Sequence, residues 1–303
     1  MKYIEDIRDY IGNTPILKLN NLCIKSRVNL FAKLEFLNPG GSVKDRIGIY
    51  MIEDAEKKGL LKKGYTIIEA TAGNTGIAIA LAAINKGYRV ILVVPEKFSI
   101  EKQTLMKALG AEIIAAPRGE GMLGAMKKAN ELIGTIKNSI SLNQFSNKSN
   151  PLCHYKTTAP EIYKDLDGKI DYFLCGAGSG GTYSGVLKYL KEKDPNIKGI
   201  LVDPDGSTLG GGKEACYNIE GIGNNFIPVT MNLNYIDKVI KIKDNEALNA
   251  VKLLALNEGL IVGTSSGAAI AAAMKLSNEI NSGNIISLLP DRGERYFSKN
   301  IYE

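Results

Sequence analysis

Two stretches of this chain repeat one pattern: a short apolar strand, a glycine-rich turn, then a helix. Thr66 to Ala70 leads into T-A-G-N-T-G (71–76) and the Ala/Ile-rich run from Ile77 to Ile84. Asp171 to Cys175 leads into G-A-G-S-G-G-T (176–182) and a helical pattern to about Lys193. Strands that alternate with helices in this way form βαβ units, with helices packed on a mainly parallel sheet. Other segments continue the alternation. Tyr88 to Val94, Glu112 to Ala115, Gly199 to Val202 and Asn284 to Leu289 read as strands. Ser99 can cap a helix that stops near Gly110. Asp244 is expected to cap another, with Ala247, Leu248, Val251, Leu254 and Ala255 as its apolar face and Gly259 as its stop. Gly267 to Met274 is apolar all round and predicts a buried helix. Gly206 to Asn225 is glycine-rich and irregular, a candidate mobile loop. The expected architecture is α/β, with two lobes and ligands between them.

One lysine stands out against this frame. In N-P-G-G-S-V-K-D-R, Asn38 to Arg46, the proline and paired glycines exclude a helix or strand interior. Ile47, Met51 and Ala55 then recur every fourth residue, and Gly59 marks a stop. Lys44 therefore sits at a loop-to-helix junction, beside unsatisfied N–H groups and the positive end of the helix dipole. That field disfavours the charged form, and a less protonated lysine is the better amine nucleophile for Schiff-base chemistry.

Composition narrows the function classes. The 303 residues are 45% hydrophobic and 23% charged, as in a globular protein, and no apolar run reaches membrane-spanning length. The first ten residues are charged and lack the apolar core of a signal peptide. A net charge of +6, with both signs interleaved, reads as a solvated surface and not a nucleic-acid footprint. Cys23, Cys153, Cys175 and Cys216 lie far apart and His154 is the only histidine. Neither a metal site nor a His-based triad is expected, and free thiols fit a reducing cytoplasm. His154 itself reads as structural.

The loops carry the chemistry. Glycines 176–181 let backbone approach an anion, successive N–H groups at a helix start bind phosphate, and Ser179 and Thr182 add hydroxyls. Gly176, Gly178 and Gly181 also satisfy G-x-G-x-x-G, with Asp203 in the next strand, so a dinucleotide site is a rival reading. One such loop suits a dinucleotide fold. A second loop carrying Asn74, plus a lysine in a glycine turn, does not. G-T-S-S-G-A-A (263–269) places Ser265 and Ser266 before the buried helix, where one is expected to act as N-cap. N-Q-F (143–145) offers two amides at the end of a short strand.

Together these pieces, with S-N-P-L-C-H-Y-K-T-T (149–158), resemble the cysteine synthase and cystathionine β-synthase family over nearly the whole chain. M-I-E-D-A-E-K-K-G-L-L-K-K-G, V-D-P-D-G-S and S-N-P-L-C-H-Y look more like the cystathionine β-synthase catalytic core, here expected without haem or regulatory segments. The resemblance implies a pyridoxal-phosphate enzyme of fold type II: two lobes, each a mainly parallel twisted sheet with helices on both faces. It implies a smaller mobile lobe, 42–147, carrying the carboxylate-binding loop. The larger lobe, 1–41 plus 148–303, would carry the phosphate loop and the pyridine-side serine. By position, Lys44 carries the cofactor and moves the α-proton. Asn74 bonds the ring hydroxyl oxygen, and Gly178, Ser179, Gly180, Gly181 and Thr182 hold the phosphate. Ser265 faces the pyridine nitrogen. Thr71, Ala72, Asn74, Thr75 and Gln144 surround the substrate carboxylate.

Two positions depart from the family pattern. Ala72 stands where serine is common, and Asn232 where aspartate is common. An amide near Cβ lacks the basicity of a carboxylate, so Asn232 either limits the second half-reaction or only packs. The implied activity is β-replacement or β-elimination on L-cysteine, L-serine or O-acetyl-L-serine through an aminoacrylate. Sulfide, water or a thiol would be the partner, in a cytoplasmic homodimer. The alternatives are a dehydratase of the same fold and a nucleotide-binding protein without chemistry. An intact Lys44 argues against the last.

Overall fold

A computed structural model describes residues 3–71, 73–95, 99–116 and 119–303. The chain divides into two compact units: Met1–Ile11 with Asn38–Ser149, and Gly12–Leu37 with Asn150–Glu303. The amino-terminal residues thus group with the first unit, where the sequence reading had set them in the larger lobe. Arg8 shows the cause: its guanidinium donates to the carbonyls of Ala82 and Ile84 at 3.2 and 3.1 Å, satisfying the end of a helix in that unit.

The first unit holds a four-stranded sheet, all parallel, in the order Glu112–Ala115, Arg89–Val94, Thr66–Ala70, Ser139–Ile140. Its core joins Ile68, Ile91 and Val93 to Ala125 and Ala129 of the helix Gly121–Thr135. Helix Lys44–Lys57 buries Ile47, Met51 and Ala55, the face predicted from their spacing, and Gly59 ends it at φ +68°. Helix Asn74–Ala83 is buried along nearly its whole length, which its Ala- and Ile-rich sequence allows. The two helices meet at Gly48: a Cβ there would stand 2.6 Å from the carbonyl oxygen of Ala78. Each contact residue lies one turn from its helix start. Lys44 and Asn74 are therefore each within about 6 Å of the contact along their axes.

The second unit holds six strands in the order Ile16–Lys18, Val28–Leu34, Gly283–Leu289, Tyr172–Gly176, Lys198–Pro204, Lys238–Ile242. Only the first pair is antiparallel. Helix Thr264–Glu279 buries Ala268 to Ala273 against Leu30, Ala32, Leu174, Val202 and Ile285. It approaches helix Asp244–Glu258 closely, because a Cβ on Gly267 would stand 2.2 Å from the Ala247 carbonyl oxygen.

Asp244 does not cap its helix. Lys243 occupies the cap position, with its N–H donating to Glu246 at 2.9 Å. The Asp244 carboxylate instead accepts from the N–H groups of Asn218 and Ile219 at 2.9 and 3.2 Å. It anchors the irregular stretch from 206 to 225. Asp203 accepts there from Gly210 N–H and Lys241 Nζ, and Asn224 N–H donates to Ser207. The stretch is irregular as predicted and tied at several points.

Candidate active site

In the first unit, Lys44 is the first residue of its helix and is partly buried. Its N–H donates to the fully buried Ser42 hydroxyl at 3.3 Å, which sets the end of the N-P-G-G turn. Asn74 opens the next helix, with Gly73 before it at φ +149°, a conformation favouring glycine. Ala72 lies outside the described residues. The Thr71 hydroxyl accepts from Gly73 N–H at 3.2 Å and Gly76 N–H at 3.1 Å, so it closes the loop on itself. Thr75 donates its hydroxyl to the Gln144 side-chain oxygen at 2.7 Å, and the Gln144 amide donates to the Ala70 carbonyl at 3.3 Å. The structure thus joins Thr75 and Gln144 in one hydrogen-bonded cluster at the Ala70 carbonyl, while the Thr71 hydroxyl bonds within its own loop.

Sequence reasoning missed the residue beneath that cluster. Glu69, one residue before the end of the apolar strand Thr66–Ala70, is only 2% exposed. It accepts from Ser141 Oγ at 2.7 Å and from the N–H groups of Leu142, Asn143 and Gln144, each at 3.0 Å. Burial pushes the Glu69 carboxyl up, and these donors pull it down, Gln144 foremost. One buried acidic side chain therefore gathers the 141–144 segment and holds the Gln144 backbone. The signal for it was a lone acidic residue in a strand otherwise fully buried. Glu69→Gln places an NH₂ donor against N–H donors. It should cost about 1–3 kcal/mol of stability by urea titration and raise the substrate KM about tenfold, with a smaller change in kcat. A KM unchanged in a destabilised protein would separate Glu69 from Gln144 positioning.

In the second unit, the 176–182 loop joins strand Tyr172–Gly176 to helix Gly181–Lys193. Gly180 adopts φ +80°, where a side chain is strained. The loop is also packed tightly from behind. A Cβ at Gly178 would meet the Gly221 carbonyl oxygen at 2.5 Å, at Gly180 the Met231 side chain at 2.6 Å, and at Gly181 the Asn150 Oδ1 at 1.9 Å. Asn150 donates to Ser179 Oγ at 2.9 Å, Asn224 donates to the Gly178 carbonyl, and Thr230 donates to the Ser179 carbonyl. The loop's carbonyls are thus turned outward to these donors. The N–H groups of the first helical turn have no intrahelical acceptor and are left for an anion.

Ser265 and Ser266 lie inside the first turn of helix Thr264–Glu279, whose cap is Gly263. Neither serine caps it, a correction to the sequence reading. Thr264 uses its hydroxyl to accept from Glu220 N–H at 3.1 Å. Ser265 is 4% exposed, and its hydroxyl makes no hydrogen bond to any described residue. Ser266 Oγ is fully buried and likewise unpartnered. Asn232 caps the short turn Leu233–Tyr235: its Oδ1 accepts from Asn234 N–H at 3.0 Å, and its own N–H donates to Ser184 Oγ at 2.8 Å. Among the described residues no group of three or more His, Cys, Asp or Glu could hold a metal, and no helix is long and apolar enough to cross a membrane.

Comparison with known proteins places this geometry in context. The sequence profile of the family described as pyridoxal-phosphate dependent enzymes matches residues 7–291. An O-acetylserine dependent cystathionine beta-synthase from Bacillus subtilis is 49% identical, over 100% of this chain and 99% of its own length. A cysteine synthase from Helicobacter pylori is 47% identical over 100% of both chains. Among solved structures, an O-acetylserine dependent cystathionine beta-synthase from Helicobacter pylori superposes with TM-score 0.97 at 46% identity, covering 100% of both chains. A hydrogen sulfide-producing enzyme from Fusobacterium nucleatum gives TM-score 0.94 at 42% identity, over 97% of this chain and 100% of the other.

Proposed function

Because the chain belongs to the pyridoxal-phosphate dependent enzyme family, we propose that it acts at the β-carbon of L-cysteine, L-serine or O-acetyl-L-serine, taking up or releasing hydrogen sulfide. The fold is that of the fold type II enzymes of this cofactor. Membership sets aside the dinucleotide reading of the 176–182 loop.

The residues present fit the cofactor on three structural observations. The 176–182 loop is a cradle that side chains would fill, and it opens a helix of 13 residues. Ser265 is a buried residue whose hydroxyl has no partner among the described residues, as a donor to a ring nitrogen would have none before that ring binds. Lys44 sits at a helix start one turn from the contact with the helix of Asn74. In this reading Gly178 to Thr182 hold the phosphate, Asn74 bonds the ring oxygen and Ser265 the ring nitrogen. Thr71, Ala72, Asn74, Thr75 and Gln144 bind the substrate carboxylate. Pyridoxal phosphate, when bound, supplies the electron sink that acidifies the α-C–H and lets the β-substituent leave. Lys44 Nζ binds the cofactor and moves the α-proton. Residues 71–75 and Gln144 fix the carboxylate so that the α-C–H faces that amine.

The observation that carries β-chemistry is the hydroxyl at 265. A serine leaves a ring nitrogen largely unprotonated, where a carboxylate would hold a proton on it. With the cofactor bound, that pairing at Ser265 would favour loss of the β-group over other outcomes at the α-carbon. Product analysis with each amino acid, with and without sulfide or homocysteine, tests this. Cysteine plus acetate from O-acetyl-L-serine and sulfide, or sulfide release from L-cysteine, supports the reading. Pyruvate and ammonia from L-serine, with no exchange of the β-group, would assign a dehydratase instead.

For Asn232 the proposal is that its amide slows attack on Cβ for want of a base. Asparagine and aspartate cap about equally well, so Asn232→Asp keeps the Leu233–Tyr235 turn while it exchanges a neutral amide for a basic, charged carboxylate. The same assay should then show faster release of sulfide from L-cysteine. Identical rates would leave Asn232 a cap. We further propose a cytoplasmic homodimer, which the four free cysteines support as to compartment.

A further inference from the structure

His154 is a buried titratable side chain that the mechanism above does not use. It is 0% exposed, on helix Ser149–Lys156. Its Nε2 lies 3.1 Å from Thr182 Oγ1, and its Nδ1 lies 2.9 Å from Thr158 Oγ1. Two glycines on helix Gly181–Lys193 make this approach possible. A Cβ on Gly185 would stand 2.2 Å from the Pro151 carbonyl oxygen and 2.9 Å from His154 Cβ, and one on Gly181 would overlap Asn150. Gly181 and Gly185 are four apart and so share a helix face, which is cleared for the segment 150–154.

Hydrogen-bond accounting then fixes the direction of each bond. Thr158 is fully buried, and its hydroxyl has no hydrogen-bond partner among the described residues except His154 Nδ1. A buried hydroxyl proton needs an acceptor, so Thr158 donates and Nδ1 accepts. A neutral imidazole that accepts at Nδ1 carries its proton on Nε2 and donates there. Thr182 Oγ1 therefore accepts from His154, and its own proton has no acceptor among the described residues. That proton is left for an anion at the loop. Asn150, from the same segment, donates to the loop's other hydroxyl, Ser179, at 2.9 Å.

We propose that His154 is a positioning residue of the phosphate site: as the Nε2–H tautomer it holds the Thr182 oxygen as an acceptor, so that the Thr182 hydroxyl donates to the cofactor phosphate. This rests on the reading of the 176–182 loop given above. The chain runs Thr158 to His154 to Thr182 to phosphate, each donor pointing at the anion, and successive bonds of one sense strengthen one another. The imidazole gives and takes no proton in the reaction.

Having one histidine makes the test direct. Holoenzyme labelled with ¹⁵N-histidine should show a single imidazole in the neutral Nε2–H tautomer by two-bond ¹H–¹⁵N correlation. The Nδ1–H tautomer, or an imidazolium, in holoenzyme would overturn the proposal. A second measurement uses variants. His154→Asn cannot reach Thr182, and should shift the ³¹P resonance of the bound cofactor and weaken its retention about tenfold, the effect of one lost hydrogen bond. His154→Gln places an amide N–H near the Nε2 position and should restore both. Equal loss in Asn and Gln variants, with an unmoved ³¹P resonance, would make His154 a packing residue and sink the idea. Borohydride fixation of cofactor on Lys44 in the same samples keeps the outcomes separate. If wild type takes no label, the loop reading has failed. If it labels while the tautomer is Nδ1–H, only the role of His154 has failed.

Discussion

Lys44→Ala should give a folded protein that binds pyridoxal phosphate without a covalent link and turns over about 10²–10⁴-fold more slowly, or not measurably. Alanine is the best helix former, so the start of helix Lys44–Lys57 survives the change. Ile47, Met51 and Ala55 still hold it in the core. What is lost, on the proposed reading, is the amine that binds the cofactor and moves the α-proton. Borohydride followed by peptide mapping should label the wild-type protein at Lys44 and leave the variant unlabelled. A label on another lysine, or residual turnover near wild type, would reassign the site.

Gly48→Ala should have the second largest effect, with a sign opposite to local expectation. In an exposed helix interior, glycine to alanine stabilises by about 1 kcal/mol. Here the new methyl would stand 2.6 Å from the Ala78 carbonyl oxygen, and a backbone atom within helix Asn74–Ala83 cannot yield alone. The helices must separate, at about 1–3 kcal/mol for overpacking. Both begin one turn from the contact, so Lys44 shifts relative to Asn74. A misplacement of about 1 Å can cost about 10²-fold in rate. Urea unfolding and steady-state kinetics should therefore both fall, with a changed cofactor spectrum. A stabilised variant of normal activity would show that the two helix starts are not coupled through this contact.

The Asp244 and Ser265 outcomes share a cause. Asp244 and one of Ser265 and Ser266 were read as caps because Ser and Asp before an apolar run usually are. In each case the cap position falls one or two residues earlier, at Lys243 and Gly263, and the side chain is used elsewhere or left open. Asp244 reaches Asn218 and Ile219, more than twenty residues away in sequence. The Ser265 hydroxyl bonds to no described residue, which suits the ring-nitrogen role proposed for it. Local propensity names the residue types found near a helix start, and long-range partners decide which one spends its hydroxyl or carboxylate there.

The sequence by itself determined the βαβ alternation, the lysine at a loop-to-helix junction and the two glycine turns, because these are local facts. A strand ending in glycines, a proline before two glycines and an apolar residue every fourth position each act over fewer than ten residues. It did not show strand Val28–Leu34, where Lys33 breaks the apolar pattern. That lysine is fully buried only because Thr14, Glu161 and Asp165 meet its amine. Nor did it show why Glu69 sits near the end of an apolar strand, or what His154 touches. Glu69 is satisfied by residues 72 to 75 positions on, and His154 by Thr182, 28 positions on. A buried polar group is tolerable only with its partners in place. Those partners are chosen by packing at glycines such as Gly48, Gly181 and Gly185, where the missing Cβ lets two helices touch. The chemistry-bearing residues were legible one at a time; the side chains that hold them were decided by tertiary structure.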